Sequence, residues 1–155
     1  SLACPEGDGS LDREVIGNLL ADSVAKLCAA LAKVGGFYSI ENPLSSYLWG
    51  YGPIAKLRRS SFDVDFHQCA YGLSPPHAVR GSKDIGLIKK PTRVRTNLEE
   101  LRCLAAKCKC TIKHFQCMGS VKVGDSWVSV AKEAGKYPTA LCRKWSTAVA
   151  LAAAK

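Results

Sequence analysis

A helical repeat of apolar residues stops at two glycines and gives way at once to an apolar strand with a polar end. No other feature constrains this chain as much. Leu11, Val15, Ile16, Leu19, Leu20, Val24, Leu27, Cys28 and Leu31 recur at helical spacing. Ser10 or Asp12 can cap the start, and Gly35 and Gly36 can end the helix because glycine accepts the left-handed conformation found there. Phe37-Tyr38-Ser39-Ile40 then reads as a short buried strand running into Glu41-Asn42-Pro43, where proline breaks the ladder. A helix feeding a strand with a polar carboxyl end predicts an open parallel sheet, in which ligands sit beyond the strand ends. In their own right, Glu41 and Asn42 suit recognition of a flat ring with donors and acceptors. Satisfying backbone groups in the turn is the plainer alternative.

Downstream, Ser45–Trp49 reads as a helical turn interrupted by Gly50, Gly52 and Pro53, with a short helix over Ile54–Arg59. Phe62, Val64 and Phe66 alternate with Asp63, Asp65 and His67, the period of a half-buried strand, leading to Tyr71-Gly72-Leu73. Residues 74–90 carry glycine and proline breaks and predict a long loop. Thr92–Thr96 predicts a strand with Arg93 and Arg95 on one face and Val94 on the other, followed by a helix from Leu98 to Lys107 capped by Asn97. Val121–Trp127 reads as a tight turn between short strands, and residues 129–135 as a helix stopped by Gly135. Pro138 opens a last helix reaching about Ala153. Residues 1–9 are expected to be an irregular tail and residues 10–155 a single α/β domain.

Twenty-two Lys and Arg against 13 Asp and Glu give a net charge of +9, which favours an anionic partner, either nucleic acid or an acidic protein surface. The basic residues fall into groups: Lys56, Arg58 and Arg59; Arg80, Lys83, Lys89, Lys90, Arg93 and Arg95; Lys107, Lys109 and Lys113. A solvated basic surface is the plainer reading. No uninterrupted apolar run approaches the roughly 18 residues of a membrane span, so an integral membrane protein is not expected. Eight cysteines in a chain able to bury a core without disulfides point to a reducing intracellular compartment, nucleus or organelle. The chain starts at Ser1 rather than Met, which raises the expectation of a removed upstream segment.

Glu41-Asn42 after an apolar strand resembles the Glu-Asn motif of the DNA cytosine-5 methyltransferases. The strand from Phe66 to Tyr71-Gly72 resembles the Tyr-Gly element that follows it there. Thr92-Arg93-Val94-Arg95 resembles their Gln-x-Arg-x-Arg element, and the order of all three agrees. Pro43 stands where that family has valine, Thr92 replaces glutamine, and about twenty residues separate Gly72 from Arg93. A closer similarity is to divergent methyltransferase-like proteins of mobile elements in protists and fungi. It rests on Gly17-Asn18-Leu19-Leu20, Glu41-Asn42-Pro43-Leu44-Ser45-Ser46-Tyr47-Leu48-Trp49, Lys90-Pro91-Thr92-Arg93 and Tyr137-Pro138-Thr139-Ala140-Leu141-Cys142. The resemblance covers about residues 14–146.

The resemblance implies the C-terminal half of a class I methyltransferase-like fold: a partial Rossmann-like sheet with flanking helices and a Cys/His-rich C-terminal segment. It implies a base-binding-like face of Glu41, Asn42, Arg93 and Arg95, with Arg58, Arg59, Arg80, Lys83, Lys89 and Lys90 toward phosphate or an acidic partner. The Gly-rich turn that holds S-adenosylmethionine and the Pro-Cys nucleophile do not stand in this sequence; Gly35-Gly36 precedes a strand and Cys4-Pro5 has the reversed order. The isolated chain is therefore expected to be non-catalytic and cofactor-free. Either a first half was cleaved or lost, or the half-fold serves another use. Two functions follow: an anion-binding, nucleic-acid-directed half-domain, or an accessory subunit whose exposed sheet edge is covered by other chains.

Cys103, Cys108, Cys110, His114 and Cys117 crowd within 15 residues. Cys108, Cys110, His114 and Cys117 supply the four soft ligands that structural zinc takes. Reduced packed cysteines and a disulfide are the alternatives. His67 and His77 have no catalytic partners in the sequence and read as structural. Trp49, Trp127 and Trp145 read as core or interface anchors.

Overall fold

The computed structural model describes residues 3–75 and 86–155, which divide into two compact units. The first comprises Ser1–Val64 with Arg93–Glu99, the second Asp65–Thr92 with Glu100–Lys155. Arg80, Lys83 and His77 lie outside the described residues.

The first unit opens with helix α1, Asp12–Lys33. Leu11 occupies the cap position and no side chain caps it, so neither Ser10 nor Asp12 plays that part. Gly35, with φ of 75°, takes the left-handed position after the helix. The helix buries its small side: Ala25 and Cys28 are buried, and Ala21 and Ala32 pack against the same core. Small side chains let the backbone approach Tyr38, Ile40, Trp49, Ile54 and Leu57. The large residues that carried the periodic signal remain outside, Leu20 at 62% and Leu27 at 67% exposure. Although no run is uninterrupted, α1 as a whole is long and apolar enough to cross a membrane by length and composition, which a search for unbroken runs misses.

Strand β1, Ser39–Pro43, leads to a 3-10 turn over Tyr47–Gly50, in which Ser46 accepts from the Leu48 N–H. Pro53 sits in the first turn of helix α2, Gly52–Lys56, and so starts a helix rather than interrupting one. Strand β2, Phe62–His67, and strand β3, Pro91–Thr96, complete a sheet of order β1-β3-β2.

The expected parallel sheet is corrected here. At the start of β1, Thr96 Oγ1 donates to the Tyr38 carbonyl (2.6 Å) and the Tyr38 N–H donates to Asn97 Oδ1 (2.9 Å), so the start of β1 meets the end of β3. Gln68, just past β2, donates its N–H to the Lys90 carbonyl (3.1 Å), just before β3. Both pairings with β3 are therefore antiparallel. The fastening is long-range: Asn97 spends its side chain on Tyr38 and, through Nδ2, on the Gly36 carbonyl (3.0 Å), rather than capping a helix. Only a 3-10 segment, Glu99–Leu104, follows it.

One ionic group organises the first unit. Arg95 is 1% exposed; its Nε and Nη2 donate to the two carboxylate oxygens of Asp63 (2.7 and 2.9 Å) and its Nη1 to the Ile54 carbonyl (2.9 Å). Arg93 and Arg58 add charge to the same carboxylate at 3.4 and 3.7 Å. Burial by itself would raise the Asp63 pKa, but the hydrogen bonds and charge of Arg95, with Arg93 and Arg58, outweigh it and hold the group below its ordinary 3.8.

In the second unit, β4 (Ser120–Val123) and β5 (Ser126–Ser129) form an antiparallel hairpin turning at Gly124, with φ of 59°. Short helix α3, Val130–Glu133, follows with Ser129 as its cap, and α4 spans Thr139–Ala153 with Pro138 at the cap position. Leu73, Ile88, Val130 and Ala134 form a core packed by Phe115, Cys117 and Val121. Trp49 is buried, whereas Trp127 on the hairpin is 73% exposed and is no part of a core.

Asp63→Asn removes the charge partner of a buried guanidinium and is expected to destabilise the protein by about 3–5 kcal/mol in urea titrations. With a lowered folded pKa, the Asp63 contribution is complete above 3.8 and is lost as pH falls through the folded value. The Asp63→Asn protein should lack that part of the acid dependence.

Candidate metal centre

The chain brings one cysteine from β2's exit to the Cys/His segment by backbone pairing. Phe66 forms a parallel bridge with Ala106, and the His67 N–H donates to the Ala106 carbonyl (2.9 Å). The Cys108 N–H donates to His67 Nδ1 (3.1 Å). That contact makes Nδ1 the acceptor and leaves the ring proton on Nε2. Burial first, and then the positive charges of Lys89, His114 and Lys107, keep the His67 pKa below its usual value, so the ring stays a neutral acceptor. Cys69 lies two residues past His67 in a 3-10 turn, Gln68–Tyr71, and is buried.

The fourth donor is delivered by a second pairing. Ile88 bridges Phe115 in parallel, the Phe115 N–H donates to the Leu87 carbonyl (3.1 Å), and the Ile88 N–H to the Leu73 carbonyl (2.9 Å). Gly86 permits this approach: a Cβ there would stand 2.2 Å from the Lys113 carbonyl oxygen. His114 is thereby placed with its Nε2 3.2 Å from Cys108 Sγ.

The result is a cluster of Cys69, Cys108, Cys110 and His114 whose ligand atoms lie within 4.8 Å of one another. Three sulfurs and one imidazole nitrogen are a zinc donor set. Tetrahedral zinc with Zn–S near 2.3 Å sets sulfurs about 3.8 Å apart, so a small contraction closes the site. All four donors are protein groups, as in structural rather than catalytic zinc sites. The Cys110 N–H donates to Cys108 Sγ (3.4 Å), and this contact leads the causes that lower the Cys108 pKa. Burial, aided by the neighbouring thiols of Cys108 and Cys110, pushes the Cys69 thiol up to about 12. A cation among these sulfurs offsets the cost of ionising them together.

The expected set of Cys108, Cys110, His114 and Cys117 is thus corrected at one position. Cys117 packs against the apolar core of Leu73, Ile88, Val130 and Ala134, and Cys69 takes its place. Cys69 is 39 positions from Cys108, outside any compact spacing; its only sequence signal is a cysteine immediately past a strand. Cys103 is an exposed free thiol outside the cluster.

The other expected site residues lie in several settings. Glu41 and Asn42 stand half-buried at the carboxyl end of β1. Arg93 is partly exposed, with its guanidinium 5.9 Å from the Trp49 ring centroid. Arg95 is corrected: it is buried with its donors committed to Asp63 and Ile54, so it faces no ligand. Arg58 and Arg59 are exposed. Lys89 is exposed, whereas Lys90 donates to the Ala134 carbonyl (3.3 Å) and lies over the Tyr137 ring. Comparison with family models, curated proteins and solved structures finds no match.

Cobalt titration separates the two ligand sets. Cys69→Ser is expected to weaken metal binding by more than the about 10–100-fold that loss of an outer partner costs. Cys117→Ser should keep the tetrahedral cobalt spectrum of the parent.

Proposed function

We propose that this chain is a non-catalytic methyltransferase-like half-domain that binds an anionic partner, by resemblance nucleic acid. One observation carries the reading: the positive charge is segregated. The first unit holds eight Lys and Arg against eight Asp and Glu, and the second holds fourteen against five, so the whole +9 belongs to the second unit. A merely solvated surface has no reason to divide its charge in this way.

The finer part of the reading, a Rossmann-like ancestry, rests on the resemblance of Glu41-Asn42 and Thr92-Arg93 rather than on the sheet, whose pairings with β3 are antiparallel. Glu41 and Asn42 stand at the carboxyl end of β1. In this reading the Cys/His cluster holds a structural zinc that fixes the second unit.

Gel filtration of the purified chain with duplex DNA is expected to show co-elution at low salt that disappears as salt rises. Separate elution at low salt would refute nucleic-acid binding. Calorimetry should show no heat with S-adenosylmethionine, and saturable heat would overturn the non-catalytic assignment.

A second reading, a protein-interaction module within a larger assembly, is favoured by α1. Ile16, Leu20, Leu27 and Leu31 form a stripe on the side away from Ala25 and Cys28, continued by exposed Val34 and Phe37. Contiguous apolar surface of this kind marks an interaction face. Leu20→Lys with Leu27→Lys should leave stability within about 0.5 kcal/mol, because both side chains are exposed. It should also abolish any self-association seen by light scattering.

A further inference from the structure

We propose that the Cys/His cluster is the scaffold of a polynucleotide-binding surface, with Lys89, Lys107, Lys109 and Lys113 as its phosphate contacts. The inference rests on the anionic-partner reading and names both the place and the partner class.

The lysines are interleaved with the donors. Lys107 and Lys109 flank Cys108 and precede Cys110, and Lys113 precedes His114. The donors converge within 4.8 Å, and the intervening residues are turned outward; Lys107, Lys109 and Lys113 are all exposed. Two clefts adjoin the cluster. Lys107 and Lys109 line one together with Cys69 and Cys110, and Lys89 and Lys113 line the other together with His114 and Phe115. Among the described residues none of these four ammonium groups has an acidic partner. A metal closed by these donors fixes the backbone that carries three of the lysines. The charges then form a preset array rather than four independent flexible chains.

Nucleic acid fits this array better than an acidic protein does. Protein interfaces are depleted in lysine and build on an apolar, aromatic centre. Nucleic-acid surfaces are rich in basic side chains and wet. Lysine is a compact, strongly hydrated point charge that contacts phosphate without a fixed geometry. All four residues here are lysine. The second unit also presents exposed Trp127 directly across the hairpin from Lys122, an aromatic face beside a cation, which suits a base and its phosphate.

The test uses the full zinc-loaded chain and a labelled oligonucleotide, single-stranded and duplex, with affinity read by anisotropy between about 50 and 200 mM salt. Each lost phosphate contact lowers the slope of log affinity against log salt by about 0.7 for single strands and 0.9 for duplex. Lys107→Gln/Lys109→Gln/Lys113→Gln is therefore expected to lower the slope by about 2–3, with the cobalt spectrum of the cluster unchanged. Chelation should remove the same share of affinity, and Arg58→Gln/Arg59→Gln should leave slope and affinity at the parental value. A triple variant that keeps the parental slope while the Arg58/Arg59 variant loses it would overturn this placement and leave the anionic-partner reading standing. Failure of the parent to bind either oligonucleotide, with tight binding to polyglutamate, would overturn the partner class. Failure to bind any polyanion would overturn the underlying reading itself.

Discussion

A single buried guanidinium holds the first unit together. Arg95 reaches Asp63 on the neighbouring strand and the Ile54 carbonyl of α2, and lies 5.3 Å from the ring centroid of Trp49. Trp49 in turn donates its indole N–H to the Pro43 carbonyl at 2.8 Å, at the end of β1. Strand pairing, the α2 packing and the exit from β1 are thus all fastened to one charge. A buried charge persists only when its donors are satisfied and its partner is ionised. This explains why Asp63 is surrounded by three arginines and why an arginine in a strand is not evidence of a ligand face.

The two units solve the stability problem differently. The first has an apolar core of Tyr38, Ile40, Trp49, Ile54 and Leu57 beside the Arg95 network, and balanced charge. The second buries Leu73, Ile88, Val130 and Ala134 in one cluster, with Phe66, Leu101, Leu104 and Leu141 also buried, and carries fourteen basic residues that repel one another. A unit under such charge repulsion gains from a cross-link. The four soft donors of the Cys/His cluster could supply one without a disulfide, since a bound metal adds its binding free energy directly to folding. In the proposed function, the donors Cys108, Cys110 and His114, which join Cys69, share the segment 107–114 with lysines that would contact an anion.

Much of the fold was legible in the sequence. The α1 periodicity, the alternation in Phe62–His67, the Pro138 start and the Val121–Trp127 hairpin are local patterns, and each element stands where its pattern lies. Pairing direction was not legible. It depends on Asn97 and Thr96 reaching Tyr38 nearly sixty positions away, and neither propensity nor spacing carries that information. Which face of α1 is buried was not legible for a related reason. Periodicity locates an apolar face, but the core took the alanine side, because small side chains allow a closer approach.

The sequence by itself determined the inventory: the helices and strands, the excess of positive charge, and a Cys/His segment with enough soft ligands for a metal. Only the tertiary structure decided their roles. It withdrew Arg95 into the core, exchanged Cys117 for Cys69 and collected the entire net charge in one unit. The physical reason is common to all three. Helix and strand periodicities are set by neighbours a few residues apart, whereas ion pairing, metal-donor geometry and charge segregation are set by residues that meet only when the backbone has folded.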